Sequence, residues 1–527
     1  MRKIGNFIVR TVDYFFWGLM IIITISATIS LAEIFSSGWI KYTIVFVTLI
    51  FLCVLLFFIS KIIHKIKHLF LFVRSISSRR MMVIIFLFVA ATKIFLILLL
   101  NPDATKHPDM ATYQSFAFQL ADNDVITEYV YSAFMWKYEV IYGLFLSPVV
   151  KLFGKDTKVM LIYLSILFAL MCVFLFDILR KHIGKSKAFL GVVLFNAIPS
   201  GLFETQLLIH ETPLLIFYIF SFWLLLKFLN RKFHWALRGC ALLLSALLIA
   251  FGNQINQGGT VVIISYCIYL LVVLFRDNIT FPKLVEVCSA VICYLLCFVI
   301  VANLCVSFIN NTVKTDAETK SKIGQIQKNT LPNGWVLFLG SNLKHPGSWN
   351  EQDALTYYKY KDIENEDEAK QYQINLICDR LQAFWENPLL IPRHLFIKIQ
   401  RLWGNQMLYF DYGQGNDINQ FMMTWAHGLI HKLIFAFNKL VFILLYFLLV
   451  LSHKRHRPNI VESFYSPVTQ FKMMIVGLTA ALLLFEVMPK YASHMQIILF
   501  IIGVWSIDSF MENNQEVKKK CRVLQNI

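Results

Sequence analysis

Three properties of this sequence call for an all-α polytopic membrane protein. The chain is 57% hydrophobic and only 15% charged, whereas a soluble chain averages about a quarter charged residues. Apolar runs of roughly 18 to 22 residues recur along it, and about 20 residues of helix cross the hydrocarbon core. The bases gather in short loops between those runs: Lys61, Lys65, Lys67, Arg74, Arg79 and Arg80 in one, Arg180, Lys181, Lys185 and Lys187 in another, Lys454, Arg455 and Arg457 in a third. This is the positive-inside pattern of cytoplasmic loops. The net charge of +17 therefore encodes orientation and not a nucleic-acid partner.

The amino terminus carries Arg2, Lys3 and Arg10 and is expected in the cytoplasm. Spans are expected at 14–34 and 43–60, as a hairpin returning to the basic loop 61–81. The first of them lacks a small-residue cleavage site and reads as a retained span. A third span, 82–100, delivers 101–157 to the outside, where acids outnumber bases. Within that loop Tyr138 to Phe153 is apolar but short and holds Pro148, so it is expected as a helix lying on the outer surface. Spans follow at 158–179, 187–205, 213–229, 236–252, 258–275 and 283–306, and this reading keeps their basic loops inside. The region 307–429 is hydrophilic and external, with an amphipathic helix at Asp367 to Glu386. Leu376, Ile377, Leu381, Phe384 and Trp385 recur there at helical spacing, and Pro388 ends it. Spans at 430–451, 471–488 and 492–510 close a body of about twelve, with both termini inside.

The chain thus divides into an N-terminal hairpin with its basic loop (1–81), a transmembrane core carrying the external loop 101–157 (82–306), an extracytoplasmic loop domain (307–429), closing spans (430–510) and a basic cytoplasmic tail (511–527). Of the 10 cysteines, Cys53, Cys172, Cys267, Cys293 and Cys297 fall in apolar runs and Cys378 in the hydrophilic region. They supply neither a disulfide framework nor metal-ligand spacing.

Polar groups in or against spans are costly and usually functional. The first such stretch is His107-Pro108-Asp109-Met110-Ala111-Thr112-Tyr113, just beyond the third span. A carboxylate there meets water on one side and headgroups on the other, where an enzyme acting on a lipid-carried substrate would keep a base. Asp is also a favoured helix N-cap, which is the ordinary explanation of Asp109. A second stretch, Phe203-Glu204-Thr205-Gln206 to His210-Glu211-Thr212-Pro213, turns between two spans and holds more acid than a cap requires. Asn253 to Gly259 is an amide-rich turn whose Gln254 and Asn256 suit sugar hydroxyls. Finally, Lys490 and Tyr491 follow Glu486 near the last span. Span parity puts all of these on the same external side. Lys93, inside the third span, is the main exception.

These residues, in this order, resemble the GT-C superfamily of membrane glycosyltransferases, which includes the protein O-mannosyltransferases (bacterial glycosyltransferase family 39-like) and the aminoarabinose transferases. The similarity covers roughly 82–510. It rests on HPDMATY after a span, Leu152-Phe153-Gly154 at the end of a surface helix, Ala197-Ile198-Pro199-Ser200 before the acid Glu211, Gly340-Ser341-Asn342 with Pro346 to Asn350, and the late Lys490-Tyr491. Relatives usually carry Arg-Tyr at that last place, and Lys offers no bidentate fork to phosphate. Relatives also often carry an Arg in the span beginning near Gly258, where amides stand here. Spans 14–60 lie outside the similarity.

The resemblance implies a sugar donor carried on polyprenyl phosphate, an acceptor hydroxyl, and inversion at the anomeric carbon in one displacement. It makes Asp109 the general base and Glu211 an orienting acid. Lys490, then Lys398 and Arg401, are the candidates to stabilise the leaving phosphate. His107, Tyr113, His210, Gln254, Asn256 and Tyr491 are candidate substrate contacts. No cofactor is called for, and a divalent ion beside His107 and His210 stays open. The implied partners are the lipid-linked donor, membrane lipids and a glycan, lipid or protein acceptor. The rival readings are a polysaccharide polymerase fed by lipid-pyrophosphate oligosaccharides and a lipid-linked sugar flippase. A flippase should hold polar groups at mid-membrane depth, and here they gather at one face.

Overall fold

In hydrocarbon each backbone N–H and C=O must be satisfied within its own segment, so apolar runs of this length become helices. The computed structural model describes residues 2–35, 73, 75–103, 108–123, 125–276, 280–404, 429–452, 467–487, 490–493, 495–504 and 506. Among them, 8 helices are long and apolar enough to cross a membrane, and Gly259–Phe275 is a shorter apolar one. The protein is therefore an all-α polytopic membrane protein. The expected span 43–60 lies outside the described residues, and that at 492–510 is described only in part.

The first helix, α1 (Arg2–Phe35), is followed by α2 (Ser78–Leu100), whose Ser77 cap accepts from the Arg80 N–H and which stops at Asn101 in a left-handed conformation. Helix α3 (Pro108–Asn123) opens with a proline at its first position, where the missing N–H has no partner to lose. Asp109 therefore falls inside the first turn and is not the cap. After the short α4 (Val130–Met135) comes α5 (Lys137–Phe153), with Pro148 inside it. It is not among the helices of spanning length, and it packs along α3. Gly143 makes that approach feasible: a Cβ there would sit 2.6 Å from the Phe116 Cβ.

Helix α6 (Thr157–Leu179) is a single span. The expected span 187–205 is not. It divides into α7 (Lys185–Phe195) and α8 (Pro199–Phe203), with Ile198 extended between them. Pro199 explains the break, since it removes an N–H and drives the preceding residue out of the helical region. The freed polar groups are satisfied laterally. The Ser200 N–H donates to Asn438 Oδ1 (3.1 Å), and Asn438 Nδ2 donates to Ser200 Oγ (2.7 Å).

The core continues as α9 (Glu211–Leu229), α10 (Trp235–Ile255), α11 (Gly259–Arg276) and the long α12 (Phe281–Thr312). A buried chain of hydroxyls, Ser221 to Ser245 (3.0 Å) to Tyr294 (2.6 Å), joins α9, α10 and α12.

The loop domain consists of α13 (Ala317–Asn329), α14 (Gly334–Gly340), α15 (Glu351–Tyr357), a 3-10 turn (Tyr358–Asp362) and α16 (Glu366–Glu386). It has its own small core of Ile326, Phe338, Tyr357, Tyr360 and Ala369, against which Leu376 and Ile377 pack. Leu381 and Trp385 face outward, Trp385 at 88% exposure, so the expected apolar stripe divides between core and surface. Asp353 ties the domain together, accepting from Asn342 (2.6 Å), Asn350 (2.7 Å) and Arg380 (2.5 Å).

The chain then returns through α17 (Leu390–Gly404) to α18 (Leu429–Ser452), α19 (Pro467–Leu484) and the single turn α20 (Lys490–Ser493). Helix α1 packs against α17, α18 and α19. Trp17 Nε1 donates to the Val450 carbonyl (3.1 Å), Lys472 pairs with Asp13 (2.7 Å), and Gln400 donates to Glu33 (3.0 Å). The first span thus belongs structurally to the C-terminal half.

Candidate active site

The turn between α8 and α9 is held from behind by buried polar groups. Lys93 of α2 is fully buried and donates to the Gly201 carbonyl (2.5 Å), with its ammonium 4.5 Å from the centre of the Phe168 ring. Gln206 Nε2 donates to the Lys93 carbonyl (3.2 Å), and the Ser165 and Thr205 hydroxyls meet at 2.7 Å. An ammonium within a span is tolerated where it faces the bundle interior and finds partners. Here it fixes the turn that presents His210 and Glu211.

His210 lies at the mouth of α9 and is shared by three elements. Its Nδ1 is 3.0 Å from the Tyr113 hydroxyl of α3. Its Nε2 is 3.6 Å from Glu211 Oε1, an ion-pair distance when the ring is protonated. The Tyr138 ring of α5 lies tilted over the imidazole with centroids 5.1 Å apart, and Tyr142, one turn further on, meets Tyr113 edge-on at 5.2 Å. With the tyrosine donating to Nδ1, Nε2 carries the ring proton on the side of the Glu211 carboxylate, which lies within ion-pair range but beyond hydrogen-bond distance.

Burial pushes the Tyr113 hydroxyl well above its ordinary range, and the nearby Tyr138, Asp109, Glu139 and Glu211 push it further. Tyr138 is raised by burial and by Glu139, Asp109, Glu211 and Glu486. Tyr491 is raised by burial and by Glu486, Glu211 and Tyr138, and its hydroxyl donates to Glu486 Oε2 (3.2 Å). The three phenols therefore stay protonated and act as neutral hydrogen-bond groups. These couplings put Asp109, Tyr113, His210, Glu211 and Tyr491 in one neighbourhood, with Tyr138 and Glu486 among them. Tyr138 was hidden in the sequence because its helix read only as an interfacial element. The signal available was a Tyr pair four residues apart beside Glu139, on one helical face.

The remaining candidates sit elsewhere or serve the backbone. His107 and the side chain of Lys490 lie outside the described residues, although the α20 turn itself touches α9 and α17. Gln254 has no polar partner among the described residues. Asn256 Oδ1 accepts the Gly258 N–H (2.9 Å) and shapes its own turn. Lys398 is buried and gives its hydrogens to the carbonyls of Gly340 (3.1 Å), Leu483 (2.6 Å) and Phe485 (2.6 Å). Burial pulls its ammonium down to about 8. With three donors and three carbonyl partners, this geometry leaves no ammonium hydrogen for a phosphate. Arg401 Nη1 clips the Pro346 carbonyl (2.7 Å) and the Ser348 hydroxyl, which leaves the rest of the guanidinium available. Among the described residues, no three His, Cys, Asp or Glu side chains converge as a metal-holding group.

No curated protein and no solved structure matches this chain. Residues 140–304 match the family model described as dolichyl-phosphate-mannose-protein mannosyltransferase. The matched stretch starts within α5 and ends within α12, and so includes the tied turn, His210 and Glu211; Asp109, Tyr113, Glu486 and Tyr491 lie outside it. Over that stretch the chain is similar to this family, and the match supports a membrane glycosyltransferase of GT-C type.

Proposed function

We propose that the chain transfers a sugar from a polyprenyl-phosphate donor to an acceptor hydroxyl at the extracytoplasmic face, in the modification of a cell-surface glycan or glycoconjugate. The observation that supports this reading is the convergence of Asp109, Tyr113, Tyr138, His210, Glu211, Glu486 and Tyr491 at one end of the helix bundle. That concentration of carboxylate and phenol beside an apolar body suits a reaction on a lipid-borne sugar.

Asp109 takes the acceptor's hydroxyl proton. The oxygen attacks the anomeric carbon, the bond from that carbon to the phosphate oxygen breaks, and polyprenyl phosphate leaves with inversion. Glu211, through His210 and Tyr113, fixes the acceptor-side donors. Lys490 and the free part of Arg401 meet the charge that develops on the phosphate. The test is a comparison of cell-surface glycans from a deletion strain carrying either the wild-type chain or Asp109→Asn. The sugar modification should return only with the wild type; its return with the variant would remove Asp109 as base.

A further inference from the structure

Helix α3 carries a second functional face next to Tyr113. Gln114, Ser115, Gln119 and Asp122 recur on one side of it at helical spacing and line a groove of about 870 Å³, within the size range of small-molecule sites, roughly 300–1,000 Å³. The facing wall is the stretch 125–129, with Lys155 and Lys314 also in the lining.

That wall is built and held. Gln119 Oε1 accepts the N–H groups of Thr127 (3.0 Å) and Glu128 (3.1 Å), while its Nε2 donates to Ser115 Oγ (2.9 Å). Ile126 is stitched to the end of α12 by two backbone bonds, its N–H to the Thr312 carbonyl (3.0 Å) and its carbonyl from the Lys314 N–H (3.1 Å). Tyr129 follows in a left-handed conformation, φ 54°, with half of its surface open and its ring meeting Phe116 edge-on.

The chemistry of the lining points to one class of ligand. Lys155 is paired with Asp122, and Glu128 and Lys314 have no ion-pair partner among the described residues, so the charges balance. A phosphate ligand would call for an excess of cations, and an acyl chain for an apolar lining. What the groove presents is amides, hydroxyls, a carboxylate and an ammonium, which together donate and accept in several directions, and one open aromatic face. A sugar ring has the complementary surface: hydroxyls at its edge and a C–H face to lie on the phenol.

We propose that this groove binds a neutral oligosaccharide, with Tyr129 as its stacking platform and Glu128, Gln114 and Lys314 as its hydroxyl contacts. Ala111 of the lining belongs to the same helix as Asp109, so a glycan held here is bound on the element that carries that carboxylate, though on a different face of it. Its role as acceptor rests on the function proposed above; the binding itself does not.

The experiment uses the full chain in lipid nanodiscs, with mannotriose, maltotriose and chitotriose as probes and saturation-transfer NMR as the readout. Tyr129→Gly removes the ring yet relieves the left-handed backbone, which protects folding. At least one trisaccharide should bind, and Tyr129→Gly and Glu128→Gln should each weaken it about tenfold, the scale of one lost stacking or charged hydrogen-bond contact. Asp109→Asn should leave binding unchanged. Absence of binding by all three, binding that survives both groove variants, or displacement of the sugar by a serine-containing hexapeptide would overturn the proposal. If Asp109→Asn abolished neither transfer nor binding, the catalytic reading would fall while the groove stood.

Discussion

Tyr113 joins the chemistry of α3 to that of α9, because its hydroxyl reaches His210 and the histidine faces Glu211. Tyr113→Phe keeps the ring but leaves Nδ1 without its donor. We expect a loss of about 1 kcal/mol in stability and about a tenfold fall in turnover with little change in donor KM, measured by melting and by a reconstituted transfer assay. Asp109→Asn should lower product by roughly 10²-fold, the usual scale of general-base loss, at normal membrane abundance. Near-normal transfer by that variant would assign Asp109 to the helix start alone. Asp109, Tyr113, His210, Glu211 and Tyr491 stand out as candidates in the sequence because each polar group abuts an apolar run, where solvation alone does not explain it. Lys398 was readable only as a charge. Its partners, the Leu483 and Phe485 carbonyls, lie 85 and 87 residues away, and no local pattern reports a backbone oxygen brought in by tertiary packing.

Helix α17 and the end of α19 meet where the loop domain touches the membrane body. Lys398 closes that junction, and Gly340 fits under it: a Cβ on Gly340 would sit 2.5 Å from the Leu484 carbonyl. Lys398→Met should therefore lower the melting temperature, since each buried carbonyl left without its donor costs about 1–3 kcal/mol. It should also disturb the 485–491 stretch that carries Glu486 and Tyr491. If Lys398 contacted the donor phosphate instead, Met would raise donor KM and leave the melting temperature in place. The burial of this ammonium also has a sign. Its folded value, about 8, lies below its ordinary one, so the unfolded chain binds more protons between these values. This one group makes the fold more stable as pH rises through that window. The straight spans were foreseeable from length and apolarity. The break at Pro199 was not, because a span interrupted by proline and one merely kinked by it read alike until Asn438 is seen to satisfy the freed groups.

For the molecule as a whole, the proposed orientation is the one that the basic loops imply. A cysteine placed beside Asp109 or at Asn342 should react with an impermeant thiol reagent in intact cells, and one placed in 61–81 should not. Labelling at 61–81 from outside would invert the assignment of faces. The position of α1 has a separate consequence, in time. Its Trp17 is bonded to Val450, 433 residues later in the chain, and besides the mid-chain α11 it packs against α17 and α19, which are also late. At about 5–20 residues per second, the first helix is synthesised roughly 20–90 s before the last of these partners emerges. Through that interval α1 must stay in the bilayer with its polar flank, including Asp13 and Glu33, awaiting Lys472 and Gln400. The C-terminal half, for its part, assembles onto a helix that is already in place.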